Sequence, residues 1–322
     1  MSGSLPRGGA AAAATRLRAV SFAAPLALAL AAAGGAGAAQ AGLSSAYCDT
    51  ESRLSVAEKD RLLRVAGVVR AELQRSNADV AIVSRSGLDL ARWDIRHSHA
   101  GIALRQGADT PWAVRQLYYA CDEGQPRIFD QGLAAFILGS DQPDRGHVSM
   151  VLVPRPAALL ARAAQDNALA ISMLAGRYSA NAYAFSTRYQ NCNQWLAELL
   201  AAAWAGITPG PEARAQAQRW LATQGYEPTR VDVGWPLVQW LGAAFSPWLH
   251  NDDHPAEDLA AAQYRISLPA ALERLVRAHE TGAERVQICY AGAYLLVRHG
   301  WDTGAQHEAC GPEAADERIA LD

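Results

Sequence analysis

Apolar and polar positions along this 322-residue chain switch between a helical and a strand period. Ser55 to Asn77 places Leu62, Leu63, Val65, Ala66, Val69 and Leu73 at helical spacing, with Ser55 as a cap. Four short stretches read as strands: Val80 to Arg85, His97 to Leu104, Ala113 to Ala120 and Pro126 to Asp130. The last two are separated by Asp122-Glu123-Gly124, a turn signal. His147 to Val153 is β-rich and stops at Pro154. Pro156 to Gly176 predicts one helix, with proline at its start and glycine at its end. Asn191 to Ala205 predicts a second, stopped by Gly206, and Glu212 to Gln224 a shorter third. Past Tyr264 the pattern offers one more strand, a helix from Pro269 to His279, and a mixed segment from Gln287 to Arg298. A strand-rich middle with helix-rich flanks predicts an α+β domain.

The N-terminus has a different pattern. Arg7, Arg16 and Arg18 precede an apolar run from Ala19 to Ala33, and Ala39-Gln40-Ala41 follows as a cleavage site. This is the layout of a secretory signal peptide over residues 1–41, and it places the mature chain in the periplasm or outside the cell. No other stretch reads as membrane-spanning. Gly234 to Leu249 comes closest, but Pro236, Gln239 and Pro247 interrupt it. It reads as a buried helix pinned by prolines. A bilayer surface is the other place where Trp235, Trp240, Phe245 and Trp248 would rest.

Half of the residues are apolar and 19% are charged, which rules out disorder as the main state. The formal net charge of −3 gives no basic field, so nucleic acid is not an expected partner. Five cysteines follow the leader: Cys48, Cys121, Cys192, Cys289 and Cys310. Disulfides persist outside the cytoplasm, and an odd count leaves at least one thiol unpaired or paired between chains. Cys192 alone opens a helix, so up to two bridges are expected among the other four; Cys48–Cys121 with Cys289–Cys310 is the pairing guessed, and the sequence does not fix the connectivity. No Cys-x-x-Cys, nucleophile elbow, Walker loop or dinucleotide fingerprint is present, and no cofactor or metal is expected.

Two segments carry chemistry. The first is Arg96-His97-Ser98-His99-Ala100-Gly101, where a strand holds a histidine and the glycine admits another backbone or a substrate. The second is Tyr189-Gln190-Asn191-Cys192-Asn193-Gln194-Trp195. Asn191 caps the helix, so Cys192 falls in its first turn, where free N–H groups and the helix dipole favour a thiolate or hold an oxyanion. A cysteine there with a histidine from a strand is an activated nucleophile. The plain alternative is a small buried cysteine and a packed histidine. His97 and His99, two apart on one strand, would share a face and form half of a metal site, but no third ligand is near in sequence. His250 to His254, between Pro247 and Pro255, reads as a solvated loop.

At these two segments the chain resembles the circularly permuted papain-like (NlpC-type) superfamily. There a His-Ala-Gly strand comes first and Asn-Cys at a helix start comes later. More narrowly it is similar to a bacterial family, domain of unknown function 2145. That likeness rests on Cys48, residues 96–101, Leu117-Tyr118-Tyr119-Ala120-Cys121, Phe129-Asp130-Gln131-Gly132 and Tyr189 to Asn193, and spans roughly 45 to 300. The resemblance implies a single papain-like α+β domain over 42–322, its antiparallel sheet packed on the nucleophile helix, with a helical C-terminal extension. It implies Cys192 as nucleophile and His99 as general base, preferred to His97 because it stands two residues before Gly101. An orienting residue comes from the next strand: Gln116, with Tyr119 in reserve. His147 is a rival base. Asn191 and Gln194 are either oxyanion donors or structural caps. The implied function is an exported thiol amidase or peptidase acting on cell-envelope peptide amides. The alternatives are a lipid acyltransferase or esterase, and a silent papain-like module that binds an envelope partner.

Overall fold

A computed structural model describes residues 54–106, 112–301, 310–312 and 316–321. The expected signal peptide and Cys48 lie outside the described residues. The described residues belong to one compact unit.

Its centre is an eight-stranded sheet. The strands are β1 (Val80–Arg85), β2 (His99–Leu104), β3 (Ala113–Ala120), β4 (Gln125–Gly132), β5 (Arg145–Val153) and three from the C-terminal segment. Those three are β8 (Glu284–Ala291), β9 (Tyr294–His299) and β10 (Glu317–Ala320), while β6 (Thr229–Asp232) and β7 (Gln263–Ile266) pair in a small separate sheet. The order across the large sheet is β10-β9-β8-β5-β1-β2-β3-β4, and every neighbouring pair is antiparallel. The C-terminal segment, expected as a helical extension, therefore also supplies three sheet strands. The mixed pattern of Gln287 to Arg298 is a hairpin: Ala291 pairs with Tyr294, and Gly292 takes φ 61°, which a two-residue loop requires.

Both faces of the sheet are covered, which is why its central strands are buried throughout rather than alternating. On one face lies α1 (Val56–Arg75), started by a reciprocal cap between Ser55 and Glu58. With it lies α2 (Leu133–Leu138), and the two pack on Ala81, Val83, Ala103, Val114 and Met150. The other face carries α3 (Ala158–Gln165), α4 (Asn167–Ser172), α5 (Cys192–Ala205), α6 (Ala213–Thr223) and α9 (Pro269–His279) over Val80, Ile82, Ala100, Ile102 and Leu117. The helix expected from Pro156 to Gly176 is broken in two at Asp166. Its carboxylate accepts from the Ala168 and Leu169 amides, capping a new helix instead of continuing the old one.

Helix α5 is buried almost all round, beyond the single apolar face that its sequence shows. Its one acid, Glu198, has no exposed surface and accepts from Gln190, Arg214 and Gln218. Arg214 also donates to the Thr187 and Tyr189 carbonyls, so this network fixes the chain leading into Cys192.

Helix α7 (Pro236–Phe245) corrects an expectation. It forms, with proline in its first turn, but is not buried. Trp235 is 73% exposed and Trp240 62%, while Leu237, Val238, Leu241 and Phe245 also face solvent. The residue it buries is polar: Gln239 donates to the Gln263 carbonyl and accepts from Asn251. With α8 (Ala256–Ala260), no described helix is long and apolar enough to cross a membrane.

Candidate active site

His99 is the first residue of β2 and Cys192 the first of α5. The thiol is the free cysteine among the described residues. Cys289 is bonded to Cys310, as expected, and Cys121 is also in a disulfide. The pairing suggested for Cys121 falls on Cys48, outside the described residues.

Three local features build the site. The Asn191 side chain accepts from the Gln194 amide at 2.7 Å and starts α5, which puts Cys192 in the first turn. Asn193 donates to the Ser98 carbonyl at 3.0 Å, tying the helix start to the strand start. On the neighbouring strand β3, Gln116 turns its amide oxygen to His99 Nε2 in a short hydrogen bond. Gly101 makes room for this. A Cβ there would sit 2.6 Å from Val114 Cγ1, 3.0 Å from the Arg115 carbonyl and 3.3 Å from Gln116 Cβ.

An amide oxygen only accepts, so the Gln116 bond holds the proton on Nε2 and leaves Nδ1 with its lone pair. The imidazole packs between Tyr118 and Phe136, at 5.6 and 5.7 Å between ring centres. His99 and Cys192 line one cavity of about 110 Å³ together with Arg85, Tyr118, Asp141, Asn191 and Asn193. The structure thus brings Cys192, His99 and Gln116 to one place, but joins only the last two by a hydrogen bond.

Charge in this cavity differs from the sequence expectation. Burial pushes the Cys192 thiol up to about 12, against the pull of the Asn193, Cys192 and Ala100 amides and of Arg85. Burial, and then Arg85, pushes His99 down to about 3. First-turn amides were expected to favour a thiolate, but loss of water outweighs them here, and both groups are neutral at pH 7.

The other candidates fall elsewhere. His97 precedes β2 and meets His147 edge to face, 6.0 Å between ring centres, and among the described residues no cluster of three metal-capable side chains includes His97 or His99. His147 Nε2 lies 3.9 Å from Cys289 Sγ, beside the disulfide, and His147 does not line the cavity that His99 shares with the thiol. Tyr119 packs on Tyr178 and Trp248. Gln194 donates to the Tyr183, Ala184 and Ser186 carbonyls, a structural role. The segment His250 to His254 is not a solvated loop. His254 Nε2 bonds the Asn181 carbonyl, Asp253 accepts from the Tyr183 amide, and His250 stacks on Tyr189, so it clasps the loop before Cys192.

One residue was missed. Arg85 ends β1 directly opposite His99, and only 4% of its surface is exposed. Its signal was its place two and four residues after Val83 and Ala81, on a face otherwise apolar.

Comparison with curated proteins and with solved structures finds no match. Residues 72–276 match the bacterial family described as uncharacterized proteins conserved in bacteria, DUF2145, and the chain belongs to that family.

Proposed function

We propose that this protein is an exported thiol hydrolase of papain-like type, acting on amide bonds of cell-envelope peptides. The observation that carries the reading is that His99, bonded through Nε2 to Gln116, lines the cavity that also holds the free thiol of Cys192. It gives a histidine of fixed tautomer whose open nitrogen serves as a base.

Because thiol and imidazole are both neutral, no thiolate accumulates before substrate enters. His99 Nδ1 takes the thiol proton as sulfur attacks the acyl carbonyl. The first-turn amides that face the sulfur stand where an oxyanion develops. His99 then returns the proton to the leaving amine. Water, deprotonated at the same nitrogen, releases the acyl group from Cys192.

The test is labelling by a thiol-directed acyl probe at neutral pH. Wild type is expected to be labelled, Cys192→Ala not at all, and His99→Ala at least about 100-fold more slowly. Labelling that survives in Cys192→Ala, or equal rates with and without His99, rejects the hydrolase in favour of a silent envelope-binding module.

Helix α7 favours a second reading within the same chemistry, cleavage or transfer of a lipid acyl group. Its outward Trp235, Leu237, Trp240 and Phe245 suit the surface of a bilayer. Co-sedimentation with phosphatidylglycerol vesicles that is lost in Trp235→Ser/Trp240→Ser supports it. No sedimentation of wild type rejects it.

A further inference from the structure

Arg85 is a buried cation with no ion-pair partner among the described residues. Among the described residues its guanidinium donates one hydrogen bond, from Nη1 to the Ser86 carbonyl at 3.2 Å, and its buried Nε finds no partner. No carboxylate among the described residues forms an ion pair with it. Asp141 lines the same cavity and interacts with Arg85 through its charge alone. Arginine stays protonated even in apolar surroundings, and an unpaired buried charge is among the costliest arrangements in a protein.

The surroundings hold the group in place. The guanidinium lies 5.3 Å from the Phe136 ring centre. A Cβ on Gly139 would sit 2.4 Å from Nη2, and one on Gly87 3.2 Å from Nη1, so both glycines clear space for the fork. Across the β1–β2 ladder Arg85 stands opposite His99, and both face the cavity with Cys192. The cavity, at about 110 Å³, has room for several waters or one small planar group.

We propose that Arg85 is a substrate-binding residue that holds a carboxylate carried by the substrate beside its scissile acyl group, supplying the directly bonded partner that Arg85 lacks in the Cys192–His99 cavity. The assignment rests on the thiol-hydrolase reading for the word substrate, but the anion site itself does not need the thiol. A guanidinium offers paired donors in the plane and spacing of a carboxylate, and such charge-assisted bidentate pairs are among the strong hydrogen bonds.

Two alkylating reagents of the same size test this. Iodoacetate carries a carboxylate and iodoacetamide is neutral; each forms a carbon–sulfur bond at Cys192 and releases iodide. Relative to N-acetylcysteine under the same conditions, wild type is expected to favour iodoacetate by about tenfold or more. Arg85→Gln should abolish that preference. A ratio equal to that of N-acetylcysteine overturns the proposal. So does a fall of both rates together in Arg85→Gln, which would make Arg85 a partner of the sulfur instead.

A second arm removes the thiol. In Cys192→Ser, sodium acetate is expected to raise Tm above that in sodium chloride at equal ionic strength, and Arg85→Gln/Cys192→Ser should lose the rise. Equal Tm values in the two salts overturn the site. A larger rise with inorganic phosphate than with acetate overturns the carboxylate assignment. If neither alkylating reagent reacts with wild type, the hydrolase reading fails while the acetate arm still decides the anion site.

Discussion

The Asn193 side chain donates to the Ser98 carbonyl at 3.0 Å, so the residue after the thiol is tied to the residue before the imidazole. Two segments 95 positions apart are thereby set against each other at the point where chemistry is proposed. Asn193→Ala leaves that carbonyl without this donor and is expected to cost about 1–2 kcal/mol. Urea denaturation measures the loss. A variant as stable as wild type would show that the tie contributes nothing.

Gly101→Ala tests the space kept for Gln116. The new methyl meets Val114 and the Arg115 backbone below ordinary contact distance, and a β-strand backbone cannot easily withdraw. The expected loss is about 1–3 kcal/mol, typical of overpacking. The His99 Nε2–H proton resonance should shift as Gln116 is displaced. An unchanged resonance would separate the glycine from the histidine's orientation.

Stability should fall in acid before the carboxylates titrate. Burial lowers His99 from 6.5 to about 3 and His147 from 6.5 to about 4. The unfolded chain therefore binds more protons than the folded one across that window. The contribution is complete above pH 6.5 and is lost as pH drops toward these lower values. Urea midpoints at pH 7 and 4.5 should differ, and His99→Gln should show the smaller difference. Equal differences in both proteins would mean that His99 is not held neutral by the fold.

Glu198 and Arg214 form a pair inside the helical layer. Glu198→Leu strands a buried guanidinium and is expected to cost about 3–5 kcal/mol. Glu198→Leu/Arg214→Met removes both charges and should recover part of that loss. Denaturation of the two variants checks it. A double variant no more stable than the single would place the stabilisation in the bonds to Thr187 and Tyr189.

Helix starts, the odd cysteine and the two chemical segments were legible in the chain because their causes are local. Ser55 and Asn191 cap within three residues of themselves, and proline and glycine act on their own dihedral angles. The Cys289–Cys310 bridge was guessed from the loop-like surroundings of both cysteines, which do not fix connectivity, and Gln116 came from resemblance. The break at Asp166 was also local, but a carboxylate that can cap competes with helix continuation, and periodicity alone does not say which prevails.

What tertiary structure decided depends on which strands become neighbours. The antiparallel register sets Arg85 opposite His99, and no sequence period reports a partner from another strand. The outward turn of α7 was hidden because an apolar run reads alike whether core or solvent lies beside it. The neutral thiol was hidden for a related reason. Cap and dipole are written in a few adjacent residues, whereas the water removed from Cys192 depends on what Arg85, Tyr118 and Asn193 place around it.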